Sequence, residues 1–184
     1  MGVARTLGSS LARVVLCLAF VARPADADDA HRRAGDALRF AMPVGVVSYE
    51  LWRGDREGLW QFGSSWAMTL GATEALKRGT RIERPDRSDE LSFPSGHASH
   101  AFAAATYMHR RHGFDAAWPW YVAATYVGWT RVRAERHRWA DIAGSAVLAG
   151  ASSWWLVSPM RQQRVLFVPM VAPGLLAFEL SASW

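Results

Sequence analysis

Cysteine is nearly absent from this 184-residue chain, and Cys17 is the only one. Without a second thiol there is neither a disulfide framework nor a thiolate metal site. Lysine is equally scarce: Lys77 stands alone in a basic complement that is otherwise arginine. Internal repeats, low-complexity tracts and linker-like stretches are missing, so the length points to one domain with a sizeable core. Long runs of strongly apolar residues are also missing. Ile142 to Met160 is uncharged and long enough to span a bilayer, but it is loaded with Ala, Gly and Ser. Gly58 to Thr73 is interrupted by Gln61 and followed by Glu74. A buried soluble core and short membrane helices packed through small residues both suit such segments, with membrane association the preferred expectation. A basic stripe with interleaved aromatics is lacking too, which argues against nucleic acid as a partner.

The first residues have the pattern of an export signal. Arg5 and Arg13 form a positive start, Val14 to Ala22 a short apolar core, and Ala25-Asp26-Ala27 a small-x-small cleavage site. Residues 1–27 are therefore expected to be a signal peptide that carries Cys17, and 28–184 the working domain. Arg5, Arg13, Arg23 and Asp26 supply +2 of the formal net charge of +5, which leaves a mild positive bias suited to anionic substrates or membrane surfaces.

Periodicity in the rest predicts helices. Ala34 to Trp52 reads as one, broken or kinked near Pro43, and Arg53 to Gly58 as a turn. Leu59 to Leu76 is a second, Pro94-Ser95 to about Arg111 a third, Pro119 opens a fourth and His137 a fifth that ends at Ser158-Pro159. The period then changes. Val165 to Val171 and Leu175 to Trp184, separated by Pro173-Gly174, read as a short hairpin over 165–184. The expected architecture is all-α, five or six helices with a small C-terminal β-hairpin.

Three stretches carry chemistry. In the first, Lys77 and Arg84 leave the end of one helix, where a point charge and a bidentate donor can converge on an anion. Phe93-Pro94-Ser95-Gly96-His97 opens the third helix. Ser95 can cap it, Gly96 lets a ligand approach the backbone, and the first-turn amides make an anion site. His97 projects there, placed to protonate a leaving oxygen. His97 and His100 form an HxxH pair, but without nearby carboxylates no metal site is expected. In the third stretch, Arg131 offers a planar fork for an oxyanion, and His137 and Asp141 at i and i+4 would stack on one helical face. A carboxylate accepting Nδ1–H leaves Nε2 of His137 free to attack. Taken singly, these are a solvated basic helix end, an ordinary capped helix and a surface ion pair. Arg133, Arg136 and Arg138 crowd the same region, either as a solvated basic face or as contacts to a second phosphate or anionic headgroup.

Lys-x6-Arg-Pro, Pro-Ser-Gly-His and (Ser/Thr)-Arg-x5-His-x3-Asp, in this order over 77–141, resemble the type 2 phosphatidic acid phosphatase superfamily, which also holds class A acid phosphatases and vanadium haloperoxidases. The resemblance implies that His137 is a nucleophile forming a phosphohistidine, that Asp141 orients it, and that His97 is the acid for the leaving group. It assigns the phosphoryl oxygens to Lys77, Arg84, Ser95, Gly96 and Arg131. It implies no metal or other cofactor, with vanadate binding as a phosphate analogue. Only eight residues separate Pro85 from Pro94, leaving little material for a lid over the site. The expected activity is metal-independent hydrolysis of phosphate esters, with lipid phosphates or diphosphates as substrates at the periplasmic face of an inner membrane. A soluble periplasmic acid phosphatase is the alternative, and a vanadium-dependent haloperoxidase a more distant one.

Overall fold

The computed structural model describes residues 24–160, 164–172 and 175–183. Five helices and one hairpin follow in order: α1 (Pro24–Arg53), α2 (Arg56–Thr80), α3 (Gly96–His112), α4 (Phe114–Arg133), α5 (Trp139–Leu156), β1 (Arg164–Ala172) and β2 (Leu175–Ser183). The strands pair antiparallel, Arg164 opposite Ser183 and Ala172 opposite Leu175. The all-α body with a C-terminal hairpin is thus present. The apolar core of the expected signal peptide, Val14 to Ala22, lies outside the described residues, as does the turn at Pro173-Gly174.

α3 is the centre of the bundle and packs against each of the other four helices. Its sequence permits this. Ala98, Ala101, Ala103, Ala104 and Ala105 are all buried, and side chains this small let neighbouring helices close in on every side. Each outer helix turns one stripe inward. On α1 it is Met42, Val46 and Glu50, at i, i+4 and i+8. On α2 it is Phe62, Ser65, Thr69, Thr73 and Lys77, so the face that packs on α3 ends in the single lysine. On α5 the stripe is Ile142, Ser145, Ala149 and Ser152.

Two glycines set the helix separations. A Cβ on Gly35 of α1 would stand 2.2 Å from Thr130 Oγ1 of α4, and one on Gly128 of α4 would stand 2.6 Å from Ile142 Cγ2 of α5. At the end of the bundle where α3 terminates, the helices are locked by polar contacts. Glu50, 0% exposed, accepts from Tyr107 Oη at 3.0 Å and meets His112 Nε2 at 2.5 Å. Arg111 there makes a bidentate pair with Asp55, which also caps α2 by accepting from Gly58 N.

Four boundaries differ from expectation. α1 is unbroken through Pro43 and begins at Pro24, so Ala25-Asp26-Ala27 lies in its first turn. The stretch Arg53 to Gly58 is mostly helical, because the Asp55 cap starts α2 at Arg56. α4 starts at Phe114, with Pro119 inside it. α5 starts at Trp139, so His137 precedes the helix. Pro43 is buried within the packed part of α1, which outweighs the local breaker signal there.

Gly35→Ala should lower unfolding free energy by about 1–2 kcal/mol in a denaturant titration, because overpacking at the α1–α4 crossing outweighs the gain in helix propensity. A variant more stable than the parent would remove the steric role of Gly35.

Candidate active site

All the motif residues sit at one end of the bundle, where α2 and α4 finish and α3 and α5 begin. Ser95 is the N-cap of α3, its hydroxyl accepting from Ala98 N at 3.5 Å. The amides of Gly96 and His97 that follow have no acceptor within the helix, and the positive end of the helix dipole lies with them. Gly96 adjoins Lys77, whose Cε would be 3.9 Å from an added Cβ. Lys77 is buried, with Nζ donating to Leu91 O at 2.6 Å. Burial and the neighbouring charge of Arg84 lower its pKa. Arg84 is held from behind, its Nε donating to Asp89 Oδ1 at 2.6 Å.

His137 is 3% exposed. The correction to its helical placement changes the account of Asp141. Asp141 is the third residue of α5, and its Oδ2 accepts from Arg138 N at 2.8 Å and from Ser92 Oγ at 2.6 Å. The carboxylate is therefore a helix cap first. His137 Nδ1 lies 3.4 Å from the same Oδ2, an ion-pair separation without hydrogen-bond geometry, so Nδ1 has no hydrogen-bond partner. The pairing survives without helical stacking, because the extended Arg138 folds His137 back over the first turn. Burial, then Arg84 and Lys77, push the His137 pKa down to about 4 against the pull of Asp141, so the ring is neutral at physiological pH. An open cleft of about 430 Å³, bounded by Pro85, Val132, Glu135, Arg138 and Trp139, reaches His137.

His97 and Arg131 are joined by a residue that the motifs do not contain. Asp36 of α1 accepts from Arg131 Nη1 at 2.9 Å and meets His97 Nε2 at 2.8 Å, both through Oδ1. Arg131 Nη2 also donates to Arg32 O at 2.8 Å. Arg39, one turn after Asp36, places Nη1 3.4 Å from His97 Nδ1. With Nδ1 accepting from that cation, the ring proton belongs on Nε2, facing Asp36. Burial, then Arg131 and Arg39, bring the His97 pKa down to about 4, with Asp36 opposing. Burial tends to raise the pKa of Asp36, but the His97 hydrogen bond and the Arg131 charge prevail and lower it.

The structure thus brings Lys77 and Arg84 towards His137, and Arg131 towards His97. Arg32, Asp36 and Arg39 were missed because they lie outside the three motifs. Their spacing of four and three places them on one face of α1, but that half of the helix also carries Asp28, Asp29, His31 and Arg33, so the pattern did not single them out. The other arginines near His137 are engaged in straps: Arg133 Nε to Asp28 at 2.6 Å, Arg136 Nη1 to Ser88 Oγ at 3.0 Å, and Arg138 Nη1 to Glu83 O at 2.8 Å. Among the described residues no group of three His, Cys, Asp or Glu side chains is placed to hold a metal ion.

Comparison with known proteins matches residues 58–165 to the PAP2 superfamily. The chain is 28% identical over 149 residues to a lipid A 4'-phosphatase of Helicobacter pylori, covering 75% of each protein. It is 34% identical over 96 residues to a lipid A 1-phosphatase of Porphyromonas gingivalis, covering 49% of this chain and 22% of that protein. The crystal structure of Aquifex aeolicus LpxE superposes with a TM-score of 0.62 over 74% of this chain and 88% of that one, at 16% identity, a likeness of fold.

Asp36→Asn should move the His97 titration midpoint below its present value of about 4, since loss of the adjacent negative charge disfavours the imidazolium. Ring-nitrogen NMR titration measures it. An unchanged or raised midpoint would remove Asp36 as the electrostatic partner.

Proposed function

The chain belongs to the PAP2 superfamily and is a phosphoric monoester hydrolase, and from that premise we propose that it works through a phosphohistidine on His137, with lipid phosphates or diphosphates as substrates. The observation that carries this reading is the neutral, buried His137 beside Lys77 and Arg84, set in one site with a second histidine that has its own cation. A neutral imidazole has a lone pair to give, and cations beside it attract the phosphoryl group it attacks.

In the first step His137 forms a bond to phosphorus, the ester P–O bond breaks, and its electron pair leaves with the alcohol oxygen. His97 donates the proton that neutralises this oxygen. Water then attacks the phosphohistidine with His97 as base, releasing phosphate and restoring His137. Lys77, Arg84, Arg131, Ser95 and the amide of Gly96 hold the phosphoryl oxygens. This scheme assigns charge stabilisation to side chains and a helix N-terminus, and draws on no metal or other cofactor. At rest Asp36 occupies the inner faces of Arg131 and His97. The incoming phosphoryl group takes over both contacts, and its negative charge raises the His97 pKa towards the range of a usable acid.

A lipid substrate is supported by the names of the two relatives and by the surface. Phe40, Val44, Val47 and Leu51 are exposed at spacings of four, three and four along α1, a continuous apolar stripe that starts beside Arg39. An acyl or isoprenyl chain extending from the site has that stripe to follow, and we place the stripe against membrane lipid. No described helix is long and apolar enough to cross a membrane. The site is assigned to the exported, periplasmic face on the strength of the N-terminal export pattern.

The test is phosphate release by purified wild-type chain and His137→Ala with EDTA present, using para-nitrophenyl phosphate, phosphatidic acid and farnesyl diphosphate. We expect release by wild type, a loss of at least about a thousandfold in the variant, and preference for a lipid. Equal rates would reject His137 as nucleophile. Preference for the nitrophenyl ester, with all activity in a detergent-free fraction, would favour a soluble acid phosphatase. Halide oxidation after vanadate loading, without phosphate release, would favour the haloperoxidase reading. For wild type, kcat/KM should fall as pH drops through about 4, where His137 takes up a proton and loses its lone pair. A profile flat through that region would contradict the assignment.

A further inference from the structure

Three polar atoms next to the site are buried without partners: Arg39 Nε of α1, Trp66 Nε1 of α2 and His100 Nδ1 of α3. Their side chains are neighbours. The rings of Trp66 and His100 meet edge to face at 5.3 Å between centroids, Phe40 and His100 at 5.8 Å, and the Arg39 guanidinium lies 4.2 Å above Phe40. An unpaired buried donor costs about 1–3 kcal/mol, so three in one place, from three helices, need an account. Arg39 also has no carboxylate partner among the described residues, although Arg32 and Arg131 both do. Burial and the charge of Arg39 lower the His100 pKa, which keeps that ring neutral.

We propose that Arg39, Trp66 and His100 form a second anion subsite, which takes a phosphate carried by the leaving group. The chemistry selects an anion. Arg39 and Trp66 can only donate, and His100 donates in its Nδ1–H tautomer. Position selects the leaving-group side. His100 follows His97 by three residues, about 5 Å along α3, and Arg39 touches His97 itself. The group that departs towards His97 is therefore the one these donors meet, while Lys77 and Arg84 serve the phosphoryl group that stays on His137. Phe40 lies against Arg39 and His100 and is 54% exposed, which puts the approach to them at the head of the apolar stripe on α1. This assignment of sides rests on the phosphohistidine reading. With a diphosphate substrate, the bond from the attacked phosphorus to the bridging oxygen breaks. The electron pair stays on that oxygen, His97 supplies its proton, and the departing phosphate monoester remains held by Arg39, Trp66 and His100.

Calorimetric titration of the full chain with inorganic pyrophosphate and with inorganic phosphate tests the subsite, and repeating it in the His137→Ala background excludes turnover of pyrophosphate as the source of the signal. Wild type should bind pyrophosphate at least about tenfold more tightly, the contribution of one or two hydrogen bonds to a charged group. Trp66→Phe and His100→Phe keep a ring in place and remove the donors. Each should lose about tenfold for pyrophosphate and much less for phosphate. In turnover, each should reduce the preference for farnesyl diphosphate over farnesyl phosphate by a similar factor. Equal wild-type affinity for the two ions would overturn the subsite, as would variants that weaken both ions in parallel. Circular dichroism identifies a variant that fails to fold, and the other then decides. If wild type and His137→Ala are alike in releasing nothing, the catalytic reading fails while the binding comparison still decides the subsite.

Discussion

The crossing of α1 over the end of α4 fixes the geometry of the candidate site. Gly35 gives up its side chain so that α1 can lie directly on Thr130, and only at that separation does the carboxylate of Asp36 reach Arg131 and His97. Residues from the first and fourth helices thereby control a histidine on the third. The crossing is reinforced on either side, by Arg131 donating to Arg32 O and by His31 Nδ1 2.7 Å from Tyr126 Oη. Asp36 is 46% exposed, so its ion pairs add little to global stability. Their importance is directional, since one oxygen holds a guanidinium and an imidazole in a common orientation.

Burial dominates the electrostatics of both histidines, with nearby cations acting in the same direction. The two outcomes differ in meaning. For His137, a pKa near 4 suits a nucleophile. The orphaned Nδ1 and the capping duty of Asp141 show that this carboxylate holds the helix start while standing 3.4 Å from the ring without a hydrogen bond to it. Asp141 also ties the elements together. Its backbone oxygen accepts from Ser95 N and from Ser145 Oγ, and its side chain from Ser92. The starts of α3 and α5 are thus stitched into one unit, and His97 and His137 inherit their relative placement from it.

Much of this was legible in the sequence. The helical periods and the Ser95 cap follow from patterns of spacing, and the grouping of Lys77, Arg84, His97, Arg131 and His137 was what the resemblance of the three ordered motifs implied. The inward stripe Ser65, Thr69, Thr73, Lys77 explains why the lone lysine is buried rather than solvated. The start of α5 was not legible. An apolar period cannot say whether the residue before the cap is in the helix, and here the extended Arg138 excludes His137. Pro43 misled because a breaker is a local cost, and its burial within the packed part of α1 outweighs it. Asp36 and Arg39 could not be placed by spacing alone, because their partners are about 60 to 95 residues away. Only the α1–α4 crossing brings them together.

For His97, by contrast, a pKa near 4 is at odds with the role of acid, because the resting ring holds one proton and resists a second. The surrounding charges resolve the conflict. Burial lowers the His97 pKa most, and Arg131 and Arg39 add to it, with Asp36 the anion that opposes them. A phosphoryl group bound between these cations brings more negative charge than a single carboxylate, and that charge favours the imidazolium against the opposing effect of burial. In the proposed mechanism the proton is then taken up with substrate rather than stored beforehand. An acid that forms only when the anion arrives is protected from idle titration, and its strength is set by the ligand it is about to cleave. In this account Asp36 is a placeholder for the phosphoryl group, bridging Arg131 and His97 through one oxygen until the exchange.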